Sequence, residues 1–233
     1  MKKKLLAGFI ICAVLFCTPF SQLNLSSDII TQTPPSDSVA GSTSQQPLPE
    51  ANPNAPLVID SSVGILTYFN QCDPKWGGAI YGGNDPISDY GCGPTALAML
   101  VTSFTENNMN PAEMAAWAYS NHYWASRAGS KHNLIPEGAA AFGLRVEPLS
   151  RPNSETAMSY LKNGYILVAL MGPGHFTKQG HFIIISNYWS QNQVSIADPA
   201  NLENTLIPWD IDLILSELSS SAQSGGPIWA VRP

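Results

Sequence analysis

A sharp change of composition near residue 57 limits what this chain can fold into. Of the 36 residues from 22 to 57, 22 are Ser, Thr, Pro, Gln or Asn, three are charged and none is aromatic. Such a segment cannot bury enough apolar surface to offset the entropy that it would lose on ordering. We therefore predict a disordered linker over 22–57 and one folded domain over 58–233, which is long enough for a single hydrophobic core.

The N-terminus carries an export pattern. Three lysines follow Met1, and the apolar run Leu5–Phe16 comes next. A basic head followed by about a dozen apolar residues is typical of a secretory signal, although an uncleaved anchor stays open. Lipid attachment at Cys17 is disfavoured, because Phe16 lies where lipidation signals have a small residue. We predict a signal or anchor over 1–21. The protein is then secreted or lies on the extracellular face of the envelope, and it touches a membrane only through this segment.

Charge and motif content exclude several classes of function. The net charge is −6, and charged residues make up 12% of the chain. A nucleic-acid-binding protein needs a face rich in Lys and Arg, so this acidic balance argues against that class. The sequence has no phosphate-binding loop, no dinucleotide fingerprint and no metal-spaced His/Cys cluster. Asp85 and Asp89 flank one loop without forming a calcium pattern. We therefore predict no metal and no cofactor.

The hydrophobic pattern changes from helical to strand-like along the domain. The predicted helices cover Pro94–Phe104, Asn110–Tyr119, Pro136–Phe142, Asn153–Lys162 and Asp210–Leu218. The predicted strands cover Ile65–Phe69, Leu144–Leu149, Tyr165–Met171, His181–Tyr188, Gln193–Ala197 and Ile228–Val231, and a loop is predicted over Asp73–Gly91. Helices first and mostly antiparallel strands second indicate an α+β fold with helices packed on one sheet.

One cysteine lies where a helix would activate it. Cys92 stands between Gly91 and Gly93, and Pro94 then opens the predicted helix. The first N–H groups of a helix and the positive end of its dipole favour the thiolate, which is the nucleophilic form of cysteine. The flanking glycines would let a substrate backbone come close. A small buried cysteine that merely starts a helix explains this motif equally well.

A predicted hairpin supplies a base for this thiol. His181 begins an apolar strand directly after Gly180, which leaves one side of the ring open. Asp198 ends the next strand, and a tight turn near Trp189–Gln191 would set residues 181 and 198 opposite or nearly opposite each other. Cross-strand Cβ atoms lie about 5 Å apart, so the carboxylate can accept a hydrogen bond from the imidazole Nδ1–H. A turn aspartate before a proline is the alternative explanation of Asp198.

Further polar residues complete the candidate site. Gln71 follows the first predicted strand, and its amide can donate to an oxyanion together with the backbone N–H of Cys92. His175 lies in a Gly-Pro-Gly turn and can line a cleft. His122 and His132 lie among Tyr, Trp, Lys and Arg residues, and we interpret both as surface residues. The predicted substrate-binding residues are Gly91, Gly93, His175 and Gly180.

Five short motifs follow one another along the domain. They are Asn70-Gln71-Cys72-Asp73-Pro74-Lys75-Trp76, Gly91-Cys92-Gly93-Pro94-Thr95, Met171-Gly172-Pro173-Gly174-His175-Phe176-Thr177, Gly180-His181-Phe182-Ile183 and Ala197-Asp198-Pro199. In this order and spacing they resemble cysteine peptidase family thirty-nine, the papain-like family of bacteriocin-leader-processing peptidases. The resemblance spans about Thr67 to Trp229, and it is closer to the stand-alone secreted subgroup than to the transporter-fused domains.

The resemblance implies a papain-like fold with the nucleophile on a helix start and the base on the sheet. It implies that Cys92 is the nucleophile, that His181 is the base, that Asp198 orients the base and that Gln71 belongs to the oxyanion hole. The transporter-fused relatives cut after a double glycine, and nothing in this sequence indicates that specificity.

Three functions fit these residues. The leading hypothesis is a secreted or cell-surface thiol peptidase that acts on a peptide or protein substrate. An amidase or acyltransferase that acts on cell-wall peptide would use the same residues, and association with the cell wall would suit the linker and the export signal. A binding module that kept the fold without catalysis belongs to another class, and it predicts that Cys92 resists mild alkylation.

Cys72 departs from the resemblance, which leads us to expect a polar residue without a thiol. Adjacent strand residues point to opposite faces, so Cys72 would face away from Cys92 while Gln71 faces it. We therefore expect two separate thiols and a buried, inert Cys72. A disulfide between Cys72 and Cys92 is the alternative, because disulfides persist outside the cytosol. Such a bond would silence the site until it is reduced.

Overall fold

The computed structural model of the protein describes residues 56–233, which fall within one compact unit. The predicted signal over 1–21 and the predicted linker over 22–57 lie outside the described residues, apart from Pro56 and Leu57. No helix within the described range is long and apolar enough to cross a membrane.

Helices and short strands fill the first half of the domain, and the longer strands follow. The helices are α1 Ile87–Tyr90, α2 Cys92–Phe104, α3 Pro111–Ser120, α4 Leu134–Ala141, α5 Ser154–Lys162, α6 Leu202–Thr205 and α7 Ile211–Ser216. The strands are β1 Val58–Ser61, β2 Gly64–Thr67, β3 Ile80–Gly82, β4 Asp85–Pro86, β5 Trp124–Ala125, β6 Gly129–Ser130, β7 Arg145–Ser150, β8 Ile166–Met171, β9 His181–Ser190, β10 Gln193–Ala197, β11 Trp209–Asp210 and β12 Ile228–Arg232.

Six strands form the main sheet in the order β11-β10-β9-β8-β12-β7, and each pairing between them is antiparallel. β8 is buried along its whole length and lies inside the sheet, which confirms the predicted central strand. Met171 at the end of β8 pairs with His181 at the start of β9. Because β10 runs antiparallel to β9, its last residue Ala197 lies toward that same end of the sheet. One end of the sheet therefore carries His181 and the end of β10 that leads into Asp198.

The sheet is covered on both faces. Alternate residues of β8 and β9, such as Val168 and Ile184, pack in one core with the buried residues of α2, α3 and α4. Their neighbours, such as Ala169 and Ile183, pack in a second core with those of α5 and α7. Successive strand side chains point to opposite faces, so a strand buried on both sides must be apolar at every position. The α+β prediction is confirmed, with the helices divided between two layers.

Capping residues set the helix ends that the sequence predicts. Asn110 accepts hydrogen bonds from the N–H groups of Ala112 and Glu113, and the Glu113 carboxylate accepts one from the Asn110 N–H in return. This reciprocal pair satisfies donors that have no partner inside the helix. Asn153 caps α5 by accepting from the Thr156 N–H.

The region before α3 differs from the prediction. α2 begins at Cys92, two residues before the predicted start, and its first ten residues are buried on all sides instead of along one stripe. The predicted loop Asp73–Gly91 contains the strand pair β3–β4 and the short helix α1. Elements of two to four residues are too short for a hydrophobic period to appear. The predicted strand Ile65–Phe69 is present as β2, which pairs with β1 outside the main sheet.

The glycines on either side of Cys92 are required by close packing. A Cβ atom on Gly91 would lie 2.5 Å from the carbonyl oxygen of Ile87, and a Cβ atom on Gly93 would lie 2.5 Å from Oγ of Ser130. Real Cβ contacts are essentially never so short. From the sequence, we predicted that these glycines let a substrate backbone come close to Cys92. The structure instead explains them by the approach of α1 and of the β6 segment to the start of α2.

We predict that Gly91→Ala destabilises the fold. The new methyl group meets backbone atoms of α1, which cannot move as a flexible side chain can, so the free energy of unfolding should fall by about 1–3 kcal/mol. Gly78→Ala is the matched control, because a Cβ atom there meets nothing within 4 Å. Urea denaturation of both variants measures the difference. Equal stabilities would contradict the packing explanation of Gly91.

Candidate active site

Cys92 is the first residue of α2 and is 4% exposed. Its sulfur is a thiol and takes no part in a disulfide. The first turn of α2 contains no acidic residue and includes Pro94, which has no N–H to satisfy. The positive end of the helix dipole therefore acts on the sulfur without a competing carboxylate in that turn. This location favours the thiolate, as the sequence pattern predicted.

The β9–β10 hairpin brings His181 and Asp198 into contact. Nε2 of His181 lies 2.6 Å from Oδ1 of Asp198, and both side chains are almost completely buried. Two irregularities shift the strand register, so that Ala197 pairs with Ile184. Continuing that register sets Asp198 across from Ile183, two residues along the strand from His181. The imidazole ring is long enough to span this diagonal offset.

The hydrogen bond between His181 and Asp198 does not use the predicted ring nitrogen. The sequence led us to expect that Nδ1 donates to Asp198, whereas Nε2 does so. Nδ1 is buried and makes no regular hydrogen bond within the described residues. The Cys92 side chain nevertheless interacts with the ring and raises the pKa of His181. Because Nε2 is engaged by Asp198, Nδ1 is the ring nitrogen left for the sulfur.

Opposing effects set the charge of this pair. Burial alone would lower the pKa of His181, but the charge and the hydrogen bond of Asp198 outweigh it, and the net direction is upward. Burial would raise the pKa of Asp198, but the charge of His181 and hydrogen bonds from its neighbours lower it. The imidazolium and the carboxylate therefore stabilise each other.

The carboxylate is surrounded by donors that sequence reasoning missed. Oδ1 accepts from the N–H groups of Ala200 at 2.9 Å and Asn201 at 3.3 Å, and Oδ2 accepts from Nδ2 of Asn204 at 2.7 Å. The backbone N–H of Asp198 donates to Thr205 Oγ1. These contacts depend on the tight turn into α6, a four-residue helix that leaves no periodic signal. The polar residues Asn201, Glu203, Asn204 and Thr205 were the available signal in the sequence.

Tyr68 ties the start of the domain to the same strand end. Its hydroxyl donates to the backbone oxygen of Asp198 at 2.8 Å. Burial and the negative charge of Asp198 raise the pKa of Tyr68, so its hydroxyl stays protonated and remains a donor. The N–H of Gln71 donates to the carbonyl of Pro199 at 2.7 Å. The segment 68–71 is thus fastened directly to the segment 198–199.

Gln71 is fully buried and points at α1. Its Nε2 donates to the carbonyl oxygen of Ser88 at 2.6 Å. An amide nitrogen has two N–H groups, so one stays available for another acceptor. The Oε1 atom has no hydrogen-bond partner within residues 56–233. Because Ser88 lies four residues before Cys92, this contact holds the amide beside the helix start.

Cys72 does not face away from Gln71. Its Sγ lies 3.8 Å from the same Ser88 carbonyl oxygen that Gln71 contacts. The expectation of opposite faces was wrong, because both residues lie in a turn after β2, where strand alternation does not apply. Cys72 is also half-buried rather than buried. A disulfide between Cys72 and Cys92 is absent, since Cys92 carries a thiol. The expectation of two separate thiols was also wrong, because Cys72 is disulfide-bonded.

In the range that the structure describes, His175 contacts Glu217 and Trp209 and does not contact the helix that carries Cys92. Its Nδ1 lies 2.5 Å from Oε1 of Glu217, and its backbone N–H donates to Oε2 of the same carboxylate. Its ring also packs edge-on against Trp209. A Cβ atom on Gly174 would overlap the Glu217 carboxylate, which explains that glycine. Gly180 is half-buried directly before β9. The contacts of His175 do not include the cysteine, histidine or aspartate just described.

The two remaining histidines differ from each other. His122 is exposed, in line with its interpretation as a surface residue. His132 is half-buried, packs edge-on against Phe182, and accepts a hydrogen bond from the Gln223 N–H at Nδ1. Burial lowers the pKa of His132. No group of three or more His, Cys, Asp or Glu residues in the described part of the chain is arranged to hold a metal ion.

Comparison with known proteins gives one family. The model of the Peptidase_C39 like family matches residues 66–218, about two thirds of the chain. No curated protein matches the chain. One solved structure that resembles it is the peptidase domain of Streptococcus ComA, a bifunctional ABC transporter involved in quorum sensing. The two chains are 18% identical over 62% of this chain and 92% of that one, with a TM-score of 0.46. A likeness of this size supports no further conclusion.

We predict that Asp198→Asn shifts thiolate formation at Cys92 to higher pH. The neutral amide no longer raises the pKa of His181, so the imidazolium that stabilises the thiolate is less populated near neutral pH. The iodoacetamide rate at Cys92, followed by peptide mass spectrometry, should therefore rise at higher pH than in the native protein. Asp212→Asn removes the same charge from an exposed site and should leave the profile unchanged. Superimposable profiles for Asp198→Asn and the native protein would contradict the assignment of this pair.

Proposed function

The chain belongs to the Peptidase_C39 like family, and from this premise we propose that it is a thiol peptidase that uses Cys92, His181 and Asp198. Membership of the family supports a cysteine-peptidase type of function, which acts on peptide or protein substrates. The observation that carries the finer proposal is the buried Nε2–Oδ1 contact of 2.6 Å, which leaves Nδ1 for the cysteine.

The proposed reaction forms and breaks one covalent bond to sulfur. The Cys92 thiolate attacks the carbonyl carbon of the scissile bond, and the resulting oxyanion accepts from the Cys92 N–H and from the second N–H of Gln71. Nδ1–H of His181 gives its proton to the leaving amine as the C–N bond breaks. A water molecule then loses a proton to Nδ1 and attacks the thioester, which releases the acid and restores the thiolate–imidazolium pair.

The direct test is to incubate the full chain with a denatured proteome under reducing conditions and to read the new termini. A thiol peptidase produces termini that are absent with Cys92→Ala and with His181→Ala. Release of peptides from purified sacculi without proteome cleavage would instead favour the wall amidase. No cleavage, together with failure of Cys92 to react with iodoacetamide, would favour a binding module and overturn the proposal.

Export is part of the same proposal. The basic head and apolar run of residues 1–21 support a protein that is secreted or held on the extracellular face of the envelope, with the linker between that segment and the domain. Fractionation of cells that express the full chain, with N-terminal sequencing of the recovered protein, tests this. Recovery of uncleaved chain from the cytosol would contradict it, and recovery with sacculi would indicate association with the wall.

We predict that Gln71→Ala lowers kcat by about 10²–10³ with little change in KM. The lost N–H acts on charge that exists only in the transition state, and losses of this size are typical of a single oxyanion donor. Gln179→Ala is the matched control, because Gln179 is exposed in the β8–β9 connection. Steady-state kinetics on a peptide identified in the proteome experiment give both constants. An unchanged kcat in Gln71→Ala would remove Gln71 from the mechanism.

A further inference from the structure

We propose that Asn204 is a positioning residue of this site, whose side-chain amide holds the Asp198 carboxylate in the orientation that His181 requires. The proposal rests on the proposed function for its catalytic meaning. The juxtaposition of Asn204, Asp198 and His181 stands independently of it. No sequence motif pointed to Asn204, which lies six residues after Asp198.

The two carboxylate oxygens of Asp198 have different partners. Oδ1 accepts from Nε2 of His181 and from the N–H groups of Ala200 and Asn201. Within the described residues, the donor on Oδ2 is Nδ2 of Asn204 at 2.7 Å. The torsion that turns a carboxylate is soft, and donors that all meet one oxygen restrain it poorly. The Asn204 contact therefore fixes the plane of the carboxylate and keeps Oδ1 on the axis of the imidazole N–H.

Asn204 is itself held from two sides. It lies in α6, whose first N–H groups are capped by the side chain of Asn201, which accepts from the Glu203 N–H at 2.9 Å. The backbone oxygen of Asn204 accepts from Nε1 of Trp209 at 2.9 Å. Trp209 in turn packs against Phe176 of the β8–β9 connection, with ring centroids 4.6 Å apart. A short helix and a packed indole thus determine where the amide points.

The charge balance around Asp198 gives the amide a second effect. The groups that face this residue are the imidazole of His181, the hydroxyls of Tyr68 and Thr205, and the Asn204 amide. Tyr68 and Thr205 contact the backbone of Asp198, so Asn204 and His181 are the side chains that donate to its carboxylate. The Asn204 hydrogen bond lowers the pKa of Asp198. The amide therefore keeps the carboxylate ionised as well as oriented.

Three variants separate this role from a general structural one. Asn204→Leu keeps a similar volume and removes the donor. Asn204→Asp keeps the shape and makes the donor depend on pH, because two facing carboxylates share a proton and the pKa of one is raised. Glu203→Gln is the matched control, since it changes the exposed neighbour of Asn204 in α6 and keeps the backbone N–H that Asn201 caps. Circular dichroism confirms that each full-length variant is folded.

Two readouts follow the site across pH 5 to 8. The first is the NMR resonance of the His181 Nε2–H, which reports the hydrogen bond to Asp198 whether or not the protein is a peptidase. The second is the rate of Cys92 alkylation by iodoacetamide, read by peptide mass spectrometry. We expect Asn204→Leu to shift the resonance upfield and to slow alkylation about tenfold at neutral pH, the size expected for one hydrogen bond to a charged group.

The Asn204→Asp variant gives the sharpest outcome. Its rate of Cys92 alkylation should lie well below the native rate at pH 8. The difference should shrink toward pH 5, because the shared proton restores a donor to Oδ2. Glu203→Gln should stay within about twofold of the native rate, because it removes no hydrogen bond to the Asp198 carboxylate. The proposal would be overturned if the resonance and the alkylation rate of Asn204→Leu match those of Glu203→Gln. It would also be overturned if the slower alkylation of Asn204→Asp does not change with pH. Absence of proteolysis in the native protein would overturn the proposed function alone, because the Nε2–H comparison would still apply.

Discussion

The contact between His181 and Asp198 is the interaction on which the rest of the site depends. The histidine is 0% exposed and the aspartate 1%. Charges this deeply buried lose their hydration, and attraction between two of them repays that loss only if their remaining hydrogen-bonding capacity is satisfied. The surroundings meet this requirement, because Ala200, Asn201 and Asn204 all donate to the carboxylate. The turn after β10 and the four residues of α6 therefore belong to the site as much as to the fold.

The sequence predicts the elements that carry a strong local signal. The helix starts near Asn110 and Asn153 and the central strand Ile166–Met171 lie where expected, because capping chemistry and long apolar runs act locally. The division of the helices between two faces of the sheet was not predicted, since an apolar strand alone does not say what covers each side. The pieces β3, β4, β5 and β6 are too short for any period to appear.

The candidate site was predicted as a set of residues but not as a geometry. Strand pairing correctly suggested that His181 and Asp198 lie within reach of each other, yet it gave no information on ring orientation. The two register shifts in the hairpin move Asp198 to a diagonal position, and the bond then forms through Nε2. Gly91 and Gly93 show another limit of prediction from sequence. A glycine needed for substrate approach and a glycine needed for helix packing look identical in a sequence, and contact distances supply the packing explanation here.

The segment that carries Gln71 and the turn that carries Asp198 are joined by direct hydrogen bonds rather than through the core alone. Tyr68 donates to the backbone of Asp198, and the Gln71 N–H donates to the carbonyl of Pro199. The Gln71 amide then reaches the Ser88 carbonyl of α1, directly before the helix that begins with Cys92. A chain of short contacts thus runs from the His181–Asp198 pair, through segment 68–71, to the start of the helix that carries Cys92. A displacement of the Asp198 turn would therefore move the Gln71 amide as well as the His181 imidazole. The same hydrogen bonds hold both halves of the proposed catalytic site in place.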